Sequence, residues 1–432
     1  MAGHCSMRGS CYRPALRSAS FLNGAVMSLS HSRVESALPV PDREALAVSQ
    51  ELSTRIAAEI ARHGGWLSFA RYMEMALYEP GLGYYSNPGQ VFGAAGDFVT
   101  APELTPLFGA TLARQVSPWL KDPALAGSGQ VVLEVGGGSG MLAAQLLNAL
   151  DNVGHHEVRY LILELSAERR EHQRQTLKSL APGLMDRVGW LDTFPESFAG
   201  VVVANELLDA MPVQLFEWQA DAEAELQEMG VTWVDGQFAW APRPADAVLT
   251  ETVTALRNRL GPEGVQWHSP YRSEICPAQQ AWMRTLADCM TAGVVMLLDY
   301  GFAEPEYYHP QRDQGTLMCH YRHRSHADPF LWPGLSDITA HVDFTALARA
   351  ATAEGFSLVG YTSMAAFLLN AGLLDELADL PREPESFWFA QAQAVQQLIS
   401  EAEMGELFKV IAFEKNLREA ASVLGFGGNR AV

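Results

Sequence analysis

Glu134-Val-Gly136-Gly-Gly138-Ser-Gly140 is the stretch of this chain with the clearest chemical content. An apolar run precedes it and a helical pattern follows, so it reads as a strand-to-helix turn. Glycines allow the sharp turn, and their missing side chains let a cofactor lie against the backbone. The dinucleotide form of such a turn is G-x-G-x-x-G, with a helix N-terminus aimed at a pyrophosphate. Here the spacing is G-x-G-x-G with an acid two residues before the first glycine, which is the S-adenosylmethionine (SAM) pattern. Glu134, Gly136, Gly138 and Gly140 are therefore candidate cofactor contacts, with plain tight packing as the alternative. Glu164 ends the next apolar run, 24 residues after Gly140. A carboxylate there can accept both ribose hydroxyl hydrogens; a solvated strand-end acid is the bland reading. Asp192-Thr193 closes a third run, where an adenine amine would be met.

A fourth run ends in Asn205-Glu-Leu-Leu-Asp209-Ala-Met-Pro212. In an open parallel sheet this edge faces the reacting groups. Asn205 can donate and accept, while Glu206 and Asp209 can hold a cation or take a proton. These three are the candidate catalytic residues. The alternative is helix capping, with Asn205 as the cap and the acids in the first turn. Asp299-Tyr300-Gly301 carries the same ambiguity. His320, His323 and His326 invite a metal reading. The arginines among them and the lack of a second acid-rich motif argue against it, so no metal is expected. No G-x-S-x-G elbow, Walker loop or H-E-x-x-H is present.

The elements that must position these groups alternate. Strands are expected at Val131–Val135, Tyr160–Glu164, Val188–Asp192, Gly200–Ala204 and Val294–Asp299, with helices at Met141–Leu150 and Ala167–Leu180. That grammar argues for an α/β fold with a parallel sheet covered on both faces. About ninety residues separate the fourth run from the fifth, far more than a crossover needs. They read as an inserted α+β subdomain, with strands at Val213–Trp218, Leu226–Trp233 and Gln237–Trp240 and helices at Asp246–Leu260 and Pro277–Thr291. Upstream, helices are expected at Asp42–His63, Phe69–Tyr78 and Glu103–Leu120. Downstream come helices Val342–Glu354 and Glu385–Glu403 and strands Phe356–Tyr361 and Leu407–Glu414.

Composition bounds the classes. Of 432 residues, 48% are hydrophobic and 19% charged, which excludes global disorder. A net charge of -20 argues against a nucleic-acid partner. The five cysteines contain no CxxC, so neither a zinc ribbon nor a disulfide scaffold is indicated. No apolar run reaches the roughly 18–20 residues that span a bilayer, so no membrane insertion is expected. Met1 to Val34 holds Arg8, Arg13, Arg17 and Arg33 and no acid. This resembles an organellar transit peptide or, as the favoured reading, reflects an over-long start, with Met27 the real initiator and a short disordered tail. A bacterial-type cytoplasm is the expected compartment, with the mitochondrial matrix as the alternative.

Several blocks together resemble the MidA-like family of SAM-dependent methyltransferases, relatives of the mitochondrial complex I assembly methyltransferase. They are Tyr72-Met-Glu-Met-Ala-Leu-Tyr78, Gly81-x-Gly-Tyr-Tyr85, Gly96-Asp-Phe-Val-Thr-Ala-Pro-Glu103, Pro106-Leu-Phe-Gly109, the Glu134–Gly140 turn, Asn205–Val213, Asp299-Tyr-Gly301, Gly315-Thr-Leu and Asp337–Phe344. The resemblance spans about residues 45 to 415, in order. It implies a Rossmann-like class I SAM methyltransferase core at 129–212 and 294–425. A disordered tail at 1–41, an N-terminal helical and cofactor-lid region at 42–128 and an inserted, substrate-recognising subdomain at 213–293 complete the expected organisation. The Tyr84–Glu103 loop, with Tyr84, Asp97, Thr100 and Glu103, is expected to close over the cofactor, with Asn205 beside it. The implied reaction is methyl transfer from SAM, leaving S-adenosyl-L-homocysteine, to an arginine of a protein acceptor. A guanidinium acceptor suits paired carboxylates, and Glu206 and Asp209 are the expected pair. The oligomeric state is not read. The rival readings are a small-molecule acceptor, a SAM-binding assembly factor without turnover, and an NAD oxidoreductase, which the glycine spacing disfavours.

Overall fold

The computed structural model describes residues 38–87, 99–125, 129–219 and 225–427. The chain divides after Leu38, and the unit from Pro39 onward carries the architecture. Its centre is an eight-stranded sheet. The order is Ser357–Ser363, Phe408–Lys415, Met290–Phe302, Phe198–Asn205, Val131–Val135, Arg159–Leu163, Val188–Leu191, with Val342–Asp343 added beside the far end of Met290–Phe302. Phe408–Lys415 runs antiparallel to both its neighbours, and the other pairings are parallel.

Parallel strands need cover on both faces, which is why Val131–Val135 is five buried residues with no polar alternation beyond Glu134. Val132, Val201, Val203 and Met296 pack on one face with Leu112 and Val116 of helix Leu107–Trp119 and Leu146 of helix Met141–Asn152. Leu133, Val202, Val295 and Ile411 pack on the other with Met283 of helix Pro277–Cys289 and Leu347 of helix Phe344–Ala353. The chain builds outward from Val131–Val135 to Val188–Leu191, then returns to Phe198–Asn205 on the opposite side. That reversal opens a crevice at the carboxyl ends of the two central strands.

A second, antiparallel sheet is built from the 213–293 segment: Gln214–Trp218, Gln227–Val234, Gln237–Pro244 and Tyr271–Ile275. Its edge also takes Leu67–Ser68, paired with Val231 and Gly230. Helices Arg43–Arg62 and Phe69–Tyr78 lay Leu52, Ile56, Phe69, Tyr72 and Met73 onto Val213, Leu215, Met229 and Val231. Residues 42–128 are therefore shared between two cores. Their first part joins the inserted sheet, whereas Ala101–Trp119 joins the main one.

Several boundaries differ from the sequence expectation for local reasons. The helix expected over Glu103–Leu120 is two helices, Ala101–Leu104 and Leu107–Trp119. Thr105 between them is extended (φ -160°, ψ 142°), because Pro106 forbids helical geometry in the residue before it. The helix expected from Val342 starts at Phe344. Val342 and Asp343 pair with Gly301 and Phe302, and Asp343 caps the helix by accepting from Thr345 and Ala346 N–H (3.1 and 3.0 Å). Helix Glu385–Ile399 stops four residues short of the expected Glu403. Strand Tyr271–Ile275, the hairpin Met318–Tyr321/Arg324–His326 with Asp337–Thr339, and helices Met364–Ala371 and Leu373–Asp379 were not read.

Candidate active site

The glycine turn leaves the buried strand Val131–Val135 and enters helix Met141–Asn152 through Gly140, which is left-handed (φ 84°) and caps the helix. Gly138 is also left-handed (φ 48°). A side chain there would meet no protein atom within 4 Å, so the turn presents bare backbone to open space. This suits a cofactor that lies against the chain.

Glu134 sits beneath the turn. It is buried among the residues of the first face, and its carboxylate accepts from Tyr160 Oη (2.9 Å). Burial raises its pKa to about 8. Its bond to Tyr160 ties the end of strand Val131–Val135 to strand Arg159–Leu163. A carboxyl whose folded pKa lies above its unfolded value contributes stability that is present at low pH and lost as pH rises from about 4.5 to about 8. Glu134→Gln removes that loss. The melting temperature of Glu134→Gln minus that of wild type is expected to grow between pH 5 and pH 8 and to level above it. Melts across pH 5–9 check this, and a difference independent of pH overturns it.

Glu164 follows strand Arg159–Leu163 directly. Its oxygens accept from Ser166 N–H (3.0 Å) and Gln173 Nε2 (3.1 Å), which leaves lone pairs for further donors. Asp192 and Thr193, exposed, follow strand Val188–Leu191. Arg170 ties the two strand ends together. It donates to the carbonyls of Glu164 (Nε, 2.6 Å) and Leu191 (Nη2, 3.0 Å) and to Asp192 Oδ1 (2.5 Å). From the N-terminal side, Glu103 accepts a short hydrogen bond from Ser139 Oγ in the turn. Gln145 Nε2 donates to the Pro102 carbonyl (2.7 Å), so helix Ala101–Leu104, with Thr100 at its cap, is anchored over the start of helix Met141–Asn152. Asp97 lies outside the described residues. Tyr84 corrects the expectation placed on it. It is sealed in the second core, because its ring packs with the helices of residues 43–78. Its neighbour Tyr85 is the one that reaches a cavity.

That cavity, about 40 Å³, is lined by Tyr85, Glu206, Asp209, Tyr300, His320, Asp337 and Thr339. Glu206 follows strand Phe198–Asn205 with a left-handed backbone (φ 52°), a strained conformation for a residue with a side chain. Its carboxylate accepts from Asn205 Nδ2 (3.0 Å) and Tyr300 Oη (3.2 Å). Burial, then the nearby Asp299, raises its pKa to about 8. Asp209 is buried and pushed well above the carboxylate range by the same burial and by Asp299, Asp337 and Glu206. Its Oδ1 and the Oδ1 of Asn205 are buried with no hydrogen-bond partner. A buried acceptor left unmade is costly, so these atoms mark where a donor would be welcome.

Asp299 holds the turn. Its Oδ2 accepts from the N–H groups of Leu207 (3.1 Å), Leu208 (2.7 Å) and Asp209 (3.4 Å). The capping reading of Asn205–Asp209 fails, because residues 206–211 form a turn and not a helix, and the turn's N–H groups are met by a carboxylate ninety residues away in sequence. On the opposite wall, Tyr85 Oη donates to Asp337 Oδ2 (3.1 Å). Tyr85 and Asp337 carried no individual role in the sequence reading, Tyr300 was left between site and capping, and His320 was weighed only as a metal ligand. Tyr85, Tyr300 and Asp337 do lie in the resemblance blocks, which is the signal that could have found them. His323 lies in the hairpin turn, and His326 is buried with Nε2 3.3 Å from Ser336 Oγ.

Seven consecutive strands of the main sheet, one of them antiparallel to its neighbours, a bare glycine turn at the reversal, and an acid at the end of the neighbouring strand define a class I SAM-dependent methyltransferase. Residues 111–362, more than half of the chain, match the family model described as "Putative S-adenosyl-L-methionine-dependent methyltransferase". The chain belongs to this MidA-like family of SAM-dependent methyltransferases, and its cofactor is SAM. It is similar to a Burkholderia thailandensis protein crystallised with S-adenosyl-homocysteine: 48% identity, 91% of this chain and 99% of that one covered, TM-score 0.84. Two curated relatives are protein arginine methyltransferase NDUFAF7 of Mus musculus and its homolog in Caenorhabditis elegans, both mitochondrial by name. Each is 28% identical, over 81% of this chain and 81% of the mouse protein, and over 74% of this chain and 76% of the nematode one.

Proposed function

We propose that this methyltransferase N-methylates an arginine in a segment of another protein. The observation that carries the reading is the acidic cavity beside the crevice: Glu206, Asp209 and Asp337 line about 40 Å³, and Oδ1 of Asp209 and of Asn205, which adjoins Glu206 in sequence, are buried without a donor. A guanidinium brings five N–H donors in one plane and a charge that does not titrate near neutrality. It would supply donors to the Oδ1 atoms of Asn205 and Asp209 and relieve the mutual repulsion of the carboxylates. The names of the mouse and nematode relatives support the same acceptor.

Within that reading, Gly136, Gly138, Gly140 and Glu164 hold the cofactor, with Asp192-Thr193 toward its adenine and Thr100–Glu103 as the cover. Bound SAM supplies an electrophilic methyl group on a sulfonium. The chain aligns the acceptor nitrogen with it and excludes water, so the gain comes from orientation. Glu206 and Asp209 fix the guanidinium plane and localise its charge away from the nitrogen that reacts. The 213–293 sheet, with Tyr85 and helices Arg43–Arg62 and Phe69–Tyr78, forms the acceptor side. Among the described residues no helix is long and apolar enough to cross a membrane. We favour a bacterial-type cytoplasm, on the 48% identity to the Burkholderia protein against 28% to the mitochondrial ones.

The test is transfer of labelled methyl from SAM to arginine-containing peptides, with lysine-substituted copies as controls. Label on the arginine peptides only is expected. Label on small amines or carboxylates and none on the peptides overturns the acceptor assignment while leaving the methyltransferase intact.

A further inference from the structure

Gln173 is fully buried in helix Ala167–Leu180. Its side-chain amide joins three separate segments that meet at the glycine turn. Nε2 donates to the Gly138 carbonyl (3.1 Å) and to Glu164 Oε2 (3.1 Å). Oε1 accepts from Trp190 Nε1 (2.9 Å), in the strand that leads to Asp192. The backbone is fitted to it as well. A side-chain carbon on Gly137 would come within 3.2 Å of Gln173 Nε2, and one on Gly140 within 3.0 Å of its Cα. The turn thus lies in close contact with this part of helix Ala167–Leu180: Gly140 against the backbone of residue 173, and Gly137 against the Gln173 amide and, more tightly, against Ile162 (2.7 Å).

We propose that Gln173 is a positioning residue for the cofactor. It sets the separation of Gly138 and Glu164 and occupies one side of the Glu164 carboxylate, so that the remaining lone pairs are aimed at a ribose diol. The inference rests on the reading that Gly138 and Glu164 hold SAM. Only an amide meets all three demands, because two donors and one acceptor sit on one flat group. A carboxylate would oppose Glu164, an ammonium could not accept from Trp190, and an apolar side chain would leave Gly138 and Trp190 unsatisfied in the interior. The charged groups around the amide are the Glu164 carboxylate it touches, Arg170 on the Glu164 carbonyl, and Arg174 over the Trp190 ring (4.6 Å).

Calorimetric binding of S-adenosyl-homocysteine to the full chain tests this, for wild type, Gln173→Glu, Gln173→Met and Glu164→Gln, with melting curves to show that each is folded. A protonated glutamic acid offers one donor and one acceptor, and an ionised one repels Glu164. The affinity of Gln173→Glu relative to wild type is expected to lie within about threefold at pH 6 and to fall by more than about tenfold at pH 9. Gln173→Met is expected to bind about tenfold or more weakly at both pH values. Both Gln173 variants binding like wild type, with Glu164→Gln weakened, overturns the role of Gln173 and leaves the cofactor site standing. Equal weakening of both at every pH reduces Gln173 to packing and overturns the inference too. Glu164→Gln binding like wild type removes the reading of the cofactor site on which the inference rests, and the inference with it.

Discussion

Glu206→Gln is expected to lower kcat/KM for an arginine peptide by roughly 10²–10⁴-fold while the affinity for S-adenosyl-homocysteine stays within about threefold. The substitution keeps the shape and an oxygen to accept from Asn205, reverses the bond to Tyr300, whose hydroxyl can accept, and removes the charge. The charge matters because the cavity is small and buried, where a cation gains most from an ionised partner. The pH dependence follows from the same group. Its pKa of about 8 means that the carboxyl is mostly protonated at neutral pH in the free protein. Wild-type kcat/KM should therefore rise as pH climbs toward 8, since only the ionised form pairs with a guanidinium. In Glu206→Gln that part of the rise should be missing. Rate measurements with labelled SAM from pH 6 to pH 9 give both readouts. Wild-type rates in both Glu206→Gln and Asp209→Asn would falsify a role for the pair.

Gly138→Val should abolish measurable binding of SAM and S-adenosyl-homocysteine. The reasoning separates two costs. A residue with a side chain in the left-handed region loses about 1–2 kcal/mol, which is a stability cost paid with or without ligand. The added atoms meet no protein neighbour within 4 Å, so they project into the space that bare backbone leaves for the cofactor. Gly138→Ala shares much of the first cost with a smaller protrusion, and it is expected to bind at least about tenfold more weakly than wild type while remaining folded. Calorimetry and melting curves on the two variants distinguish the costs. Unchanged affinity in Gly138→Ala would place the cofactor elsewhere.

The sequence carried the central layer well, because its signals are local. Val131–Val135 is apolar apart from Glu134, the glycines end it, and Gly140 caps the helix that follows. Helices Phe69–Tyr78 and Ala167–Leu180 were legible for the same reason. Strand Tyr271–Ile275 was not. Its Tyr-Arg-Ser-Glu-Ile pattern reads as surface, yet Ser273 and Glu274 are buried. Glu274 is tolerated because Tyr307 Oη (3.0 Å) and Thr316 N–H (2.7 Å) donate to it from residues far along the chain. The site divides the same way. Asn205, Glu206 and Asp209 follow a readable strand, so their place at its carboxyl edge was foreseeable. Asp337, Tyr85 and His320 come from segments whose meeting is decided by packing between two sheets. The partners of Asp299 were hidden too, since a carboxylate that accepts from backbone N–H groups ninety residues away leaves no spacing to count. The partner of Glu134 was not legible either, because adjacency to the glycines says nothing of which sheet face a side chain takes, and Tyr160 lies on the neighbouring strand.

The edge strand Leu67–Ser68 has a consequence for how the protein is made. It pairs with Gly230 and Val231, and Tyr72, a few residues on, gives its hydroxyl hydrogen to the Pro329 carbonyl (2.7 Å). A ribosome adding roughly 5–20 residues per second needs on the order of 10–50 s to reach that carbonyl after Tyr72 is joined. Until Val213, Leu215, Met229 and Val231 have been made, Leu52, Ile56, Phe69 and Met73 have none of the later residues that finally cover them. Nascent chains stalled between residues 130 and 210 should therefore be strong clients of hydrophobic-binding chaperones, and release should follow the emergence of Val231.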